Sequence, residues 1–190
     1  MRLFSLQQDR WSVRADFAFY GLGTALAAAV AWATLPVDHV VQALAWAALG
    51  ATAWTLAEYA LHRFVLHGVQ PFKRWHALHH ERPLALIATP TALTALGFAV
   101  LVVLPAWWLA PHWRAGAFVC GVLAGYLAYT ATHHAVHQAR GRSAWLRQRR
   151  HWHARHHSVD SRACYGVSLP LWDHVFGSAR AVPPAREAAP

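Results

Sequence analysis

The chain has 190 residues, of which 56% are hydrophobic and only 13% charged. About a quarter would be charged in an average soluble domain, so the composition argues against a soluble fold. The formal net charge of +9 would suit a nucleic-acid binder if it formed one solvated patch, but its distribution along the chain excludes that reading. Cys120 and Cys164 are far apart and form no zinc-type C-x-x-C; they read as free thiols in a reducing compartment.

The segment before residue 17 carries Arg2, Asp9, Arg10, Arg14 and Asp16 without an apolar stretch, so it is not read as a cleavable signal. The first apolar run, 17–35, is then expected to be an uncleaved anchor, ended by Pro36. A second run, 40–57, stops at Glu58, and the short connection makes the two a helical hairpin. The third, 84–110, contains Pro90 and Pro105, which can kink it or shift its ends. The fourth, 115–132, runs into His133. Each is long enough to cross a bilayer, which takes about 20 residues with some tolerance. Abundant small residues permit close helix contact, and eleven tryptophans suit membrane interfaces. The expected fold is an all-α integral membrane four-helix bundle with a cytoplasmic histidine-rich helical cap. It forms a single domain over 1–180, followed by a disordered Ala/Pro-rich tail, 181–190.

With four spans, the regions before the first, between the second and third, and after the fourth share one side of the membrane. Sixteen of the seventeen basic residues lie there, and only Arg114 lies on the other. The positive-inside rule makes that side cytoplasmic and places both termini there. The basic balance is thus a topology signal, with attraction to anionic lipid, and not a nucleic-acid footprint.

Ten of the fifteen histidines form four groups on this same side: His62 and His67; His76, His79 and His80; His133 and His137; His153, His156 and His157. The second and fourth groups repeat the pattern H-x-x-H-H. Helical positions i, i+3 and i+4 share a face, so each triplet is expected to converge. His62 and His67, five apart, align poorly on a straight helix, and Gly68 marks a helix end. Neutral imidazoles bind iron, zinc, copper and nickel, and ten of them suit two ions. Glu58, Glu81, Asp160 and Asp173 are the only acids between Asp38 and Glu187. This excludes the carboxylate-rich di-iron pattern of soluble bundles and disfavours a zinc protease. The other histidines (His39, His112, His134, His151 and His174) read as surface or capping residues, with His151 a weak candidate to support His153.

The segments Glu58-Tyr-Ala-Leu-His62-Arg-Phe-Val-Leu-His67, Trp75-His-Ala-Leu-His-His80, Tyr129-Thr-Ala-Thr-His-His-Ala-Val-His137 and His153-Ala-Arg-His-His157 resemble the fatty acid hydroxylase and sterol desaturase superfamily. The closing run from Tyr165 to Ser178, with Trp172-Asp-His-Val-Phe-Gly177, is similar to that family's ending. The resemblance implies a membrane non-haem oxidoreductase in which the ten histidines hold a dinuclear metal centre. Its activity would be O2-dependent hydroxylation or desaturation of a lipid chain. Trp172 and Asp173 would anchor the tail against the cap. Members often carry Asp where this chain has Thr130. The short stretch between His67 and His76, and Val136-His137-Gln138, are also similar to bacterial carotenoid hydroxylases, but those lack the Trp-Asp-x-x-Phe-Gly ending.

On this reading the metals are iron, because zinc has no redox chemistry, although a purified sample could carry zinc. The partners are a membrane lipid as substrate, O2, and an external electron donor such as a ferredoxin or a cytochrome b5-like protein, since no haem, flavin or nicotinamide motif is present. The arginine-rich stretch 140–155 offers a docking surface for an acidic donor or contacts headgroups. The competing class is a non-redox membrane metal-binding protein, which would need ionisable residues inside the spans to line an ion path.

Overall fold

The computed structural model describes residues 3–141, 143–158 and 162–179. The stretch 181–190 lies outside them. Among the described residues the protein is all-helical, apart from one isolated antiparallel bridge between Gln7 and Ile87.

Helix α1 (Arg10–Ala33) begins where the Asp9 carboxylate accepts from the Ser12 amide (2.8 Å), a side-chain N-cap, and stops before Pro36. A 3-10 turn, Val37–His39, leads into α2 (Val40–Ala60). A π-helical turn, Leu61–Leu66, continues α2 without a break. The short α3 (Phe72–Glu81) follows. Next, α4 (Thr91–Phe98), a π segment (Ala99–Val103) and α5 (Leu104–Leu109) make one rod. Pro105 has no amide to donate, and the π segment just before it absorbs the displaced hydrogen-bond ladder. The long α6 (His112–Gln138), then α7 (Ala144–Ser158) and α8 (Leu171–Val175), complete the chain.

Four helical rods are long and apolar enough to cross a membrane: Arg10–Ala33, Val37–Leu66, Thr91–Leu109 and His112–Gln138. The protein is therefore a membrane protein. The helices are longer than the uncharged runs that mark them: the first begins at Arg10 and not at 17, the second carries Glu58 and His62 and ends close to the Gly68 signal, and the fourth includes His133 and His137. The third starts at Thr91 and not at 84, because Pro90 disfavours helix in the residue before it. Residues 83–85 instead form a turn, closed by the Ala85 amide on Arg82 O (2.9 Å), and 86–88 run alongside the N-terminal segment: the Gln8 amide donates to Leu86 O (2.8 Å) and the Ala88 amide to Leu6 O (3.0 Å).

The bundle is organised around α6, which packs against both α1 and α2. A Cβ on Gly121 would run into the Ala47 carbonyl, and one on Gly50 into the Phe118 carbonyl, so α2 and α6 are in backbone contact at these two glycines. Phe17 meets His134 at one end of the bundle, and His39 meets Trp113 at the other (ring centroids 6.2 and 5.2 Å). Helix α6 thus runs antiparallel to α1 and parallel to α2. The segment before α1, α3, and α7 with α8 all lie at the Phe17–His134 end. The outer surface of the rods exposes Leu22, Leu26, Trp32, Leu101 and Trp108, an apolar surface suited to lipid.

Candidate metal centre

Four elements bring their histidines to the Phe17–His134 end. The π-turn after α2 supplies His62 and His67. Its hydrogen bond runs from the His67 amide to His62 O (3.2 Å), an i to i+5 closure that brings the two rings within 5.3 Å. The spacing that fits a straight helix poorly is the spacing a π-turn aligns. Helix α3 supplies His76, His79 and His80, the end of α6 His133 and His137, and α7 His153, His156 and His157.

These side chains form two adjoining groups that could each hold a metal ion. In the first, ring nitrogens of His62, His67, His76, His80 and His156 all lie within 4.8 Å of one another; in the second, those of His79, His133, His137 and His153 do. His157 adjoins both: its Nε2 is 3.0 Å from that of His153, and its ring stacks on His80 at 4.3 Å. All ten expected histidines are therefore brought together. The two H-x-x-H-H triplets do not converge as triplets. Each divides, with His76 and His80 in the first group and His79 in the second, and with His156 in the first and His153 in the second. Positions i and i+4 are only about 40° apart around a helix, whereas i+3 leans to the other side. One short helix can thus serve two centres.

The donor chemistry fits a cation. Nε2 of His62 and His76 are 3.0 Å apart, of His67 and His156 3.0 Å, of His80 and His76 3.1 Å, and of His137 and His153 2.8 Å. Two of these rings have their tautomer fixed by a backbone carbonyl. Nδ1 of His62 donates to Tyr165 O (2.6 Å) and Nδ1 of His156 to Ala163 O (2.7 Å), which leaves each Nε2 as a bare lone pair aimed into the first group. Facing lone pairs repel unless a cation lies between them. Among the described residues, both ring nitrogens of His79 are buried without a hydrogen-bond partner. An all-imidazole donor set suits iron, zinc, copper or nickel and not magnesium or calcium.

Burial keeps these imidazoles neutral, the form that ligates. It pulls His79 and His156 down to about 3, aided by neighbouring histidines, and His157 to about 2. His67 is lowered to about 4 by burial, His80 and Lys73. His76, His80 and His153 are also lowered, burial being the largest cause in each.

The closing segment locks the first group onto α2. Thr55, Glu58, Tyr59 and His62 occupy one face at i, i+3, i+4 and i+7. Trp172 Nε1 donates to Thr55 Oγ1 (3.0 Å), Tyr59 OH pairs with Ser178 Oγ (2.9 Å), and the Tyr59 and Phe176 rings stack at 5.4 Å. The buried Glu58 carboxylate accepts from the amides of Val167 and Ser168 (both 2.8 Å) and from the Ser168 hydroxyl. Asp173, fully buried, accepts from the amides of Tyr165 (2.9 Å) and Gly166 (2.7 Å) and from Ser178 Oγ (2.7 Å). The sequence gives no sign of the two orienting carbonyls, because a backbone acceptor carries no residue type. Glu58 had a signal, an acid four residues before His62 at the end of an apolar run.

The remaining histidines stay outside the groups. His39 and His112 lie at the opposite end, His112 stacked on Trp107 at 4.7 Å. His134 faces Phe17 on the far side of α6, His174 packs on Trp152 (5.6 Å), and His151 is exposed, so it does not support His153.

Beside the groups opens a cavity of about 870 Å³, reaching from His79, His133 and His137 to Trp54, Phe98 and Val122 in the bundle. Its size falls in the range of small-molecule and cofactor sites. Along α6 it reaches from His133 to Phe118, about 22 Å by the rise per residue.

Residues 47–178 match the model of the fatty acid hydroxylase family. The dihydroceramide fatty acyl 2-hydroxylase of Arabidopsis thaliana is 35% identical over 146 residues, 69% of this chain and 59% of that protein. The fatty acid 2-hydroxylase of Rattus norvegicus is 29% identical over 143 residues, 67% of this chain and 37% of that protein. The chain therefore spans roughly two fifths to three fifths of the length of these curated relatives. A solved structure of full-length scs7p, with only its hydroxylase domain visible, shares the fold (TM-score 0.79, 24% identity, 93% of this chain and 68% of that one). Since the family match runs from within α2 through the closing segment to Ser178, and so takes in all four histidine groups, the chain belongs to the fatty acid hydroxylase family.

Proposed function

We propose that this protein is an O2-dependent hydroxylase of the acyl chain of a membrane lipid, with the ten grouped histidines as ligands of a dinuclear iron centre. The observation that carries the reading is the convergence of histidines from four elements beside an apolar cavity. Two irons, when bound, would supply the activation of O2 that cleavage of an unactivated C–H bond requires. The overall balance is one C–H bond replaced by C–OH, with one O2, two electrons and two protons consumed and one water released. No haem, flavin or nicotinamide motif is found in the sequence, so the electrons come from an external carrier, a ferredoxin or a cytochrome b5-like protein.

The residues of the chain account for binding and regiochemistry. The cavity wall is apolar at Trp54, Phe98, Leu101 and Val122 and excludes water around the chain. A lipid that inserts its tail toward Trp54 leaves its polar end near the histidines, and the carbons nearest His79, His133 and His137 are then those close to the carbonyl. This geometry favours hydroxylation near the polar end, and the 2-hydroxylase names of the relatives support it. Those names also favour an acyl chain over a carotenoid. The sequence bias of basic residues supports a cytoplasmic centre with cytoplasmic termini, and residues 1–180 act as a single unit.

The test is purification from a host grown with iron, followed by metal analysis and turnover with reductant. The expected result is two metals per chain and an O2- and reductant-dependent 2-hydroxyacyl product. Full metal retention after joint replacement of His79 and His156 by Ala, or an unchanged host lipid profile on expression, would overturn the reading. A measured metal flux in liposomes without oxidation would favour the non-redox alternative.

A further inference from the structure

The first histidine group is held by more than its own rings. The Tyr165 carbonyl that accepts from His62 Nδ1 (2.6 Å) belongs to the Tyr165–Gly166 peptide. The amide of that same peptide donates to Asp173 Oδ2 (2.7 Å). A buried carboxylate therefore acts on one side of a peptide group and a ring N–H on the other. Hydrogen bonds in such a chain polarise one another, more so where the surroundings are dry. Asp173 is fully buried, Tyr165 is 5% exposed and His62 4% exposed. A negative charge on the amide side makes the carbonyl a better acceptor, which makes the His62 ring a better donor of its Nε2 lone pair. Metal-bound histidines commonly place a carboxylate or a carbonyl on the remote nitrogen. Here the two are joined in series through the backbone.

In the second group, among the described residues, Nδ1 of His79 and His153 is buried without a hydrogen-bond partner, as is that of His157, which adjoins both groups. These rings lack the support that His62 has.

We propose that Asp173 is a positioning residue for the first metal centre, acting on His62 through the Tyr165–Gly166 peptide. This inference rests on the reading that the grouped histidines ligate metal. Asn at position 173 can present an acceptor to only one side of its amide. If its oxygen takes the Tyr165 amide and Ser178 Oγ, its NH2 faces the Gly166 amide, and donor meets donor. The peptide then loses its polarising partner, while the ten histidines are untouched.

The experiment is a two-step zinc titration against a chelating indicator on the full chain in detergent, for wild type and Asp173→Asn. Wild type is expected to bind two zinc ions. Asp173→Asn is expected to weaken one of them by about 10- to 100-fold, as loss of such supporting partners commonly does, and to leave the other unchanged as the internal control. Both zinc affinities unchanged in folded Asp173→Asn, or both weakened alike, would overturn the proposal. A wild-type chain that binds no metal would instead overturn the metal reading itself.

A second measurement uses wild type and does not depend on the variant folding. Tyr-Gly occurs at Tyr20–Gly21 and Tyr165–Gly166. Labelling with carbonyl-13C tyrosine and 15N glycine therefore gives two selected amide signals. The Gly166 signal is expected to move on zinc binding in wild type and to stay put in His62→Ala, with Gly21, in the middle of α1, as the internal control. A Gly166 signal that ignores zinc in wild type, or that moves equally in His62→Ala, would overturn the relay.

Discussion

His67 is joined to His62 by a π-turn hydrogen bond, amide to carbonyl at 3.2 Å, and this bond turns a five-residue spacing into a shared face. The turn ends at Gly68, where a Cβ would collide with the Phe64 carbonyl inside the turn. Gly68→Ala is therefore expected to open the turn and swing His67 out of the first group. The predicted result is a loss of about 10- to 100-fold in affinity for one of the two metals, with helical content by circular dichroism unchanged. Equal weakening of both metals, or of neither, would count against the π-turn as the device that aims His67.

Acid should act on this site before it acts on the bundle. Burial depresses His67 to about 4, His79 and His156 to about 3 and His157 to about 2, against an ordinary value near 6.5. Between these limits the unfolded chain binds protons that the folded cap does not, so stability rises with pH across the window. The contribution is complete above about 6.5 and is lost progressively as pH falls toward 3. The metal-free protein in detergent is expected to keep a constant melting temperature at and above pH 7.5, and to lose it steadily from pH 6.5 to 4. Joint replacement of His79, His156 and His157 by Ala should flatten that slope. A slope unchanged in the triple variant would assign the acid sensitivity to other groups.

Much of this arrangement is legible in the sequence because it is written in residue types at short spacing. Uncharged runs mark the rods, and His76, His79 and His80 announce a cap helix. What is not legible depends on backbone or on distant partners. Nothing local says that residues 86–88 leave the helix to pair, since their partner is the segment around Gln7, some eighty residues away. Nothing in the composition of Ala163 or Tyr165 says that their carbonyls fix two ligand tautomers. The H-x-x-H-H repeat was legible as a metal motif but not as a divided one, because only the second helix facing it shows that His79 belongs with His133 and not with His76.

The bundle contact at Gly121 gives a stability prediction with a built-in control. A side chain at Gly121 would overlap the Ala47 carbonyl of α2, whereas Gly21 on α1 has nothing within 4 Å of where its Cβ would lie. Gly121→Leu must separate two backbones, so a destabilisation of at least about 1–3 kcal/mol is expected. Gly21→Leu is expected to stay within about 0.5 kcal/mol of wild type. Thermal unfolding in detergent, read by size-exclusion recovery, separates the two. Equal stability of the two variants would mean that α2 and α6 do not meet as described.

The cavity predicts a change in product and not in stability. Gly97 lies on its wall in α4, level with Phe98, and nothing lies within 4 Å of the place a Cβ would take. Gly97→Leu should therefore add its side chain to open space at the apolar end, away from the histidines, and shorten the room for a tail. Folding and the metal content are expected to match wild type. The hydroxylated acyl chains, measured by mass spectrometry of host lipids, should shift to shorter lengths, with KM for long chains raised more than kcat is lowered, because the lost contact is ordinary binding and not part of the chemical step. If chain lengths stay the same while metal content and folding are intact, the tail does not run toward Phe98, and the cavity would have to be filled from another direction.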